Sequence, residues 1–157
     1  MRKEAFFTQL ARELEELWSD YDGVNYGGCG AFALAGHDAL AKIGIKANIW
    51  YVGYDYPDYN PRSARSRAEF VREAHFKHFV LETAGTFFDC EGILGGFAVA
   101  SDMLRIKYNG STSMIRVSRS MLVEFMSSRR WNSHFGARLR KSLAAAVRKR
   151  FKKISPA

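Results

Sequence analysis

Asn25-Tyr26-Gly27-Gly28-Cys29-Gly30-Ala31-Phe32-Ala33-Leu34-Ala35-Gly36 is the stretch on which the fold turns. A glycine pair runs straight into a cysteine, and the residues from Cys29 to Ile43 read as one unbroken helix. Ala31, Ala33, Ala35, Gly36, Ala39 and Ala41 make that helix narrow enough to lie close against a sheet, so it is expected to be central and buried. Gly44 follows as its stop. Cys29 falls in the first turn, where backbone N–H groups lack intrahelical partners and carry partial positive charge. A thiolate placed there is stabilised and becomes a nucleophile near neutral pH. The alternative reading of Cys29 is a small buried residue at a tight turn.

On the N-terminal side, Phe6, Phe7, Leu10, Leu14, Leu17 and Trp18 recur at helical spacing, which predicts a helix over 4–18 and a loop over 19–28. Downstream, Ala47 to Tyr54 reads as a strand, and 55–62 as a loop whose Tyr56 and Tyr59 suit either a cleft wall or ordinary packing. Ser63 to Arg72 reads as a short helix. The runs His75–Leu81 and Phe87–Cys90 flank Thr83-Ala84-Gly85-Thr86, the pattern of a hairpin. A glycine-rich loop is expected over 91–96, a helix over 97–107 and a turn at Asn109-Gly110. A strand over 113–117 follows, then a helix capped by Ser118 or Ser120 and running to Met126, and a long helix over 137–154.

A cysteine nucleophile needs a base, and the base an orienting group. The hairpin offers both: His78 opens Phe79-Val80-Leu81 and Asp89 closes the returning strand. Alternation puts His78, Val80 and Glu82 on one face and His75 on the other. Asp89 behind the imidazole would fix its tautomer and favour the imidazolium. His134, in Trp131-Asn132-Ser133-His134, is the rival base. His37 lies eight residues along the helix from Cys29, roughly 12 Å away and too far for a dyad; it reads as structural, beside Asp38. Cys90 points away from Asp89 and reads as core. Cys29, Cys90, His75 and His78 lack the close spacing of a zinc site.

The order Gly28-Cys29-Gly30 at a helix start, then His78-Phe79-Val80-Leu81, then Phe87-Phe88-Asp89, resembles the papain-like cysteine peptidase fold in its broad sense. That group includes transglutaminase-like proteins and the peptidases that trim bacteriocin leaders. The resemblance spans about residues 19–95. It implies an α+β fold in which the cysteine helix packs on a small antiparallel sheet, with extra helices at the C-terminus. It also implies Cys29 as nucleophile, His78 as general base and Asp89 as orienter, cleaving a peptide or amide bond through an acyl-enzyme without cofactor or metal. Papain has a glutamine six positions before its cysteine to complete the oxyanion hole. Here that position is Gly23, and Asn25 is the nearest amide side chain. The same order of Cys, His and Asp also fits amidases, deamidases, transglutaminase-like acyltransferases and catalytically degenerate binding proteins.

The chain has 157 residues, enough for one domain with its own core: a papain-like part over about 1–117 and a basic helical extension over about 118–157. Two cysteines make no disulfide scaffold, no apolar run reaches spanning length, and no secretory apolar block follows Met1, so a cytoplasmic setting is expected. Charge is unevenly spread. Residues 1–100 carry 10 Lys/Arg against 14 Asp/Glu, and residues 101–157 carry 14 against 2, within a total of +8. The last helix combines an apolar stripe, Leu139, Leu143, Val147, Phe151 and Ile154, with Arg138, Arg140, Lys141, Arg148, Lys149, Arg150, Lys152 and Lys153. The stripe suits docking on the core, and the cations suit nucleic acid, an anionic surface or a merely solvated face. The expected partners are thus a peptide or protein substrate at Cys29 and an anionic partner at the last helix.

Overall fold

The structure, a computed structural model, describes residues 3–21, 28–53, 60, 62–74, 76–110, 112–127 and 137–154. Asn25, Tyr56, Tyr59, His75 and His134 lie outside the described residues. The chain runs α1 (Lys3–Asp20), α2 (Cys29–Lys42), β1 (Asn48–Gly53), α3 (Ala64–Glu73), β2 (Phe76–Thr83), β3 (Thr86–Asp89), β4 (Gly92–Gly95), α4 (Phe97–Lys107), β5 (Ser113–Val117), α5 (Arg119–Ser127) and α6 (Ala137–Phe151). The five strands form one antiparallel sheet in the order β4-β3-β2-β1-β5. The fold is therefore mixed α+β, with six helices and five strands among the described residues.

Strand alternation divides the core in two. Ile49, Tyr51, Phe79, Leu81 and Phe88 belong to the larger cluster, with apolar residues of α1, α2, α3, α5 and α6. Val52, Val80 and Phe87 pack instead with Ala100 and Leu104 of α4. The hairpin turn works because Ala84 (φ 49°) and Gly85 (φ 78°) are both left-handed, the geometry of a two-residue type I′ turn. Serine hydroxyls cap two helices: Ser63 accepts from Ser66 N–H and Ser118 from Met121 N–H, each at 3.2 Å.

Two expected loops are partly regular structure. Helix α1 continues past Trp18 to Asp20, where the Asp20 carboxylate accepts from Arg150 of α6 at 2.6 Å. Within the glycine-rich stretch 91–96, Gly92–Gly95 pairs with β3 as an edge strand. Its glycines at φ 147° and 103° bracket a register shift opposite Phe87 and Phe88. Glycine content suggested a loop, but here it serves an irregular strand.

Helix α6 is part of the core. Leu143, Val147, Phe151 and Ile154 are buried, each contributing about 1.5–3 kcal/mol. Leu139 alone of the stripe is half-exposed. Arg150 reaches back to Glu13, Glu16 and Asp20 of α1, and Lys153 to Glu13 at 3.8 Å. These two cations, counted with the anion-binding set from sequence, are instead committed to a clamp between α1 and α6. Glu13 is buried at 2% exposure, so it needs these partners.

The tightest approach lies at Gly36 of α2. A Cβ there would stand 2.7 Å from Leu81 Cδ1 and 3.3 Å from Phe151 Cε2. A β-branched side chain has no space, so Gly36→Val should destabilise the fold by about 1–3 kcal/mol. Urea denaturation of the two proteins checks this, and equal midpoints would mean that α2 is not so closely held.

Candidate active site

Cys29 is the first residue of α2 and is 2% exposed. Gly28 precedes it at φ −89°, ψ −12°, and no side chain caps the helix. Phe32 N–H is the donor that closes the first turn on Gly28 C=O. The earlier N–H groups of the turn thus have no intrahelical acceptor and carry partial positive charge at the end of the helix where Cys29 stands.

His78 sits near the start of β2, across from Val52 of β1. Pairing slips just there: Val52 faces His78 but Gly53 faces Phe76, leaving Lys77 as an extra residue. Irregularities of this kind re-aim side chains at the ends of strands. His78 is fully buried, and its Nε2 meets Asp89 Oδ2 at 2.8 Å. Asp89, the last residue of β3, is 1% exposed. Its other oxygen accepts from the Glu91 N–H at 2.8 Å.

With Nε2 taken, Nδ1 is the ring nitrogen left for Cys29. Nδ1 is buried without a regular hydrogen-bond partner. Cys29 is nevertheless close enough to act on the ring and favour its charged form. The thiol–imidazole contact is thus looser than the imidazole–carboxylate one, as nucleophile–base contacts often are before substrate binds.

Burial is the largest influence on His78 and opposes its charge, but the hydrogen bonds and charges of Asp89 and Cys29 override it and raise the group to about 9. For Asp89, burial again works against ionisation. The hydrogen bond and charge of His78, the Glu91 N–H and the charge of Lys107 prevail and hold it below the usual carboxylate range. Burial pushes the Cys90 thiol up, reinforced by the charges of Asp89, Cys29 and Glu91. Two cysteines close to one carboxylate therefore have different environments, and Cys29 is the one that acts on the His78 imidazole.

The structure thus brings Cys29, His78 and Asp89 together. Sequence reasoning did not find the neighbours on the side of α4. Tyr108, the C-cap of α4, stands with its ring centroid 5.9 Å from that of His78. Burial, and then the charge of Cys29, raise its phenol. Lys107 pairs with Glu91 and lies 5.8 Å over the Tyr108 ring. Nothing in the spacing of Lys107-Tyr108 signals this, because the last turn of α4 reaches the site only through the tertiary fold. His37 binds Asp38 at 3.0 Å, and Arg119 grips the same carboxylate at 2.8 and 2.7 Å, so His37 belongs to an α2–α5 contact. Arg138, Lys141, Arg148 and Lys149 of α6 and Lys152 just past its end are exposed, and Arg140 is half-buried. Among the described residues, no group of three or more His, Cys, Asp or Glu could hold a metal ion.

No family model matches the chain, and neither a curated protein nor a solved structure matches it. The chemistry of the site therefore rests on its own geometry.

The shifts set a pH dependence. His78 is raised from 6.5, so its partners stabilise the fold fully below that value and progressively less as pH rises through about 9. Asp89 is lowered from 3.8, so its contribution is present above that value and lost as pH falls through the lower folded one. Asp89→Asn should therefore depress Tm most between about pH 4 and 6.5, with the gap narrowing toward pH 9. Thermal melts of both proteins across that range check it, and a constant gap would show that the pair does not carry opposite charges.

Proposed function

We propose that this protein is a cysteine-dependent hydrolase of peptide or amide bonds with a papain-like arrangement of nucleophile, base and orienter. The observation that supports the reading is the buried His78, held on one nitrogen by Asp89 at 2.8 Å and acted on by Cys29 at the start of α2.

The proposed chemistry follows from the proton inventory. The imidazole takes the Cys29 proton, giving a thiolate–imidazolium pair. The thiolate attacks the carbonyl carbon, and the carbonyl electrons move to oxygen. First-turn N–H groups of α2 would stabilise that oxyanion. The imidazolium then gives its proton to the leaving amine as the C–N bond breaks, leaving a thioester on Cys29. Water, deprotonated by His78, attacks the thioester, and Cys29 leaves as the thiolate. Asp89 stays ionised throughout and holds the Nε2 proton, so that the proton His78 exchanges with the sulfur, the leaving amine and the water is the one on Nδ1.

The test uses a library of fluorogenic peptide amides and a peptidyl vinyl sulfone, with intact-mass and peptide-mass readouts. The vinyl sulfone should modify Cys29 and leave Cys90 free. His78→Ala should slow that modification at neutral pH and lower hydrolysis by about 10²-fold or more. Asp89→Asn should keep the fold and reduce turnover. Modification of Cys90 in preference to Cys29, or hydrolysis that survives Cys29→Ala, would overturn the proposal.

A further inference from the structure

A groove follows the seam between α2 and α6. It is made of two hollows that share Arg148. One, of 750 Å³, lies over Leu34, Asp38, Arg138, Lys141 and Ala144. The other, of 350 Å³, lies over Ala39, Lys42, Lys149 and Lys152. From Arg138 to Lys152 the helix rises about 21 Å. Asp38 is the groove's acid, and the bidentate contact with Arg119 neutralises it. Lys42, Arg138, Lys141, Arg148, Lys149 and Lys152 have no ion pair among the described residues.

Helix stability does not account for this row. Cations near a helix C-terminus are favoured by the macrodipole, which covers Arg148 and Lys149. Arg138 stands in the first turn of α6 and Lys141 just beyond it, at the end where the dipole opposes cations, and the first turn holds no acidic residue. Cations three or four residues apart lie about 5–6 Å from one another along one face. Such a line of unbalanced charge is costly alone and complementary to an anion with a regular repeat.

We infer that this groove binds the phosphodiester backbone of nucleic acid, independently of base sequence. A bilayer fits less well. Membrane-surface helices insert an apolar face, and that of α6 is already buried as Leu143, Val147, Phe151 and Ile154. The small residues Ala39 and Ala144 leave room along the groove, so that a backbone can approach the cations of both hollows.

The experiment uses the full chain carrying Cys29→Ala, so that no reaction intervenes. Fluorescence anisotropy is read with a labelled single-stranded DNA, the same sequence as RNA, and a labelled duplex. Vesicles of phosphatidylserine in phosphatidylcholine form the lipid arm. With about five phosphates neutralised, affinity for a single strand should fall about a hundredfold between about 50 and 200 mM salt. Replacing Arg138, Lys141, Arg148, Lys149 and Lys152 by Gln should cost at least about tenfold at low salt and flatten the salt slope. A charge-matched control with Lys46, Arg62, Arg65, Arg72 and Arg105 replaced by Gln should keep the slope of the parent. Circular dichroism melts establish that both variants fold. Equal losses in the two variants, no binding at low salt, or groove-dependent binding to vesicles but not to nucleic acid would each overturn the inference.

Discussion

The close contact of Gly36 with Leu81 sets the distance scale of the site. Gly36 is seven residues from Cys29, about 10 Å along a helix. Leu81 is three residues from His78, about 10 Å along a strand. One contact between α2 and β2 is therefore about equally far from the nucleophile and from the base. Phe151 closes the same contact from the other side, with its ring 6.3 Å from that of Phe32 and nearly perpendicular to it. A larger residue at position 36 would push the helix from the strand, and the displacement would reach Cys29 with little loss, because a helix moves as a rigid rod. The small residues of α2 thus fix the placement of Cys29 relative to β2 as well as the packing.

The second constraint is the burial of charge. An imidazolium and a carboxylate taken out of water are costly, and the cost is offset only when geometry and remaining hydrogen bonds are good. Asp89 meets that condition, since its two oxygens are used separately by His78 and by the Glu91 N–H. The Lys107–Glu91 pair holds that corner from the solvent side. His78 is satisfied at Nε2 only. Its Nδ1 is buried without such a partner, on a ring that Cys29 also influences.

Much of this was legible in the sequence because local signals and tertiary roles coincide. Helical spacing, the Ala84-Gly85 turn and the alternation of β1 and β2 each act within a few residues, so they show in a linear reading. Cys29, His78 and Asp89 stood out because each lies at or near the end of an element. What escaped had non-local causes. The pairing of Gly92–Gly95 depends on the neighbouring strand, since the segment's own composition favours a loop. Tyr108 reaches His78 only through the placement of α4 on the sheet. Arg150 looked like its basic neighbours, and only the arrival of α1 alongside α6 gave it three carboxylates.

That last case shows how the charge of the chain is organised. Successive helix residues turn by about 100°, so Phe151 and Arg150 project in different directions. Burying Phe151 against α2 carries Arg150 toward α1, where Glu13, Glu16 and Asp20 receive it. The apolar stripe and the acid–base clamp therefore specify the same rotation of α6 about its axis. Once that rotation is fixed, Lys141, Arg148 and Lys152, each separated from the next by four or seven residues, must share one flank beside α2. The acidic side chains of α1 are spent on the opposite flank and cannot balance them. The net positive charge is consequently concentrated along one seam by the same contacts that fold the helix.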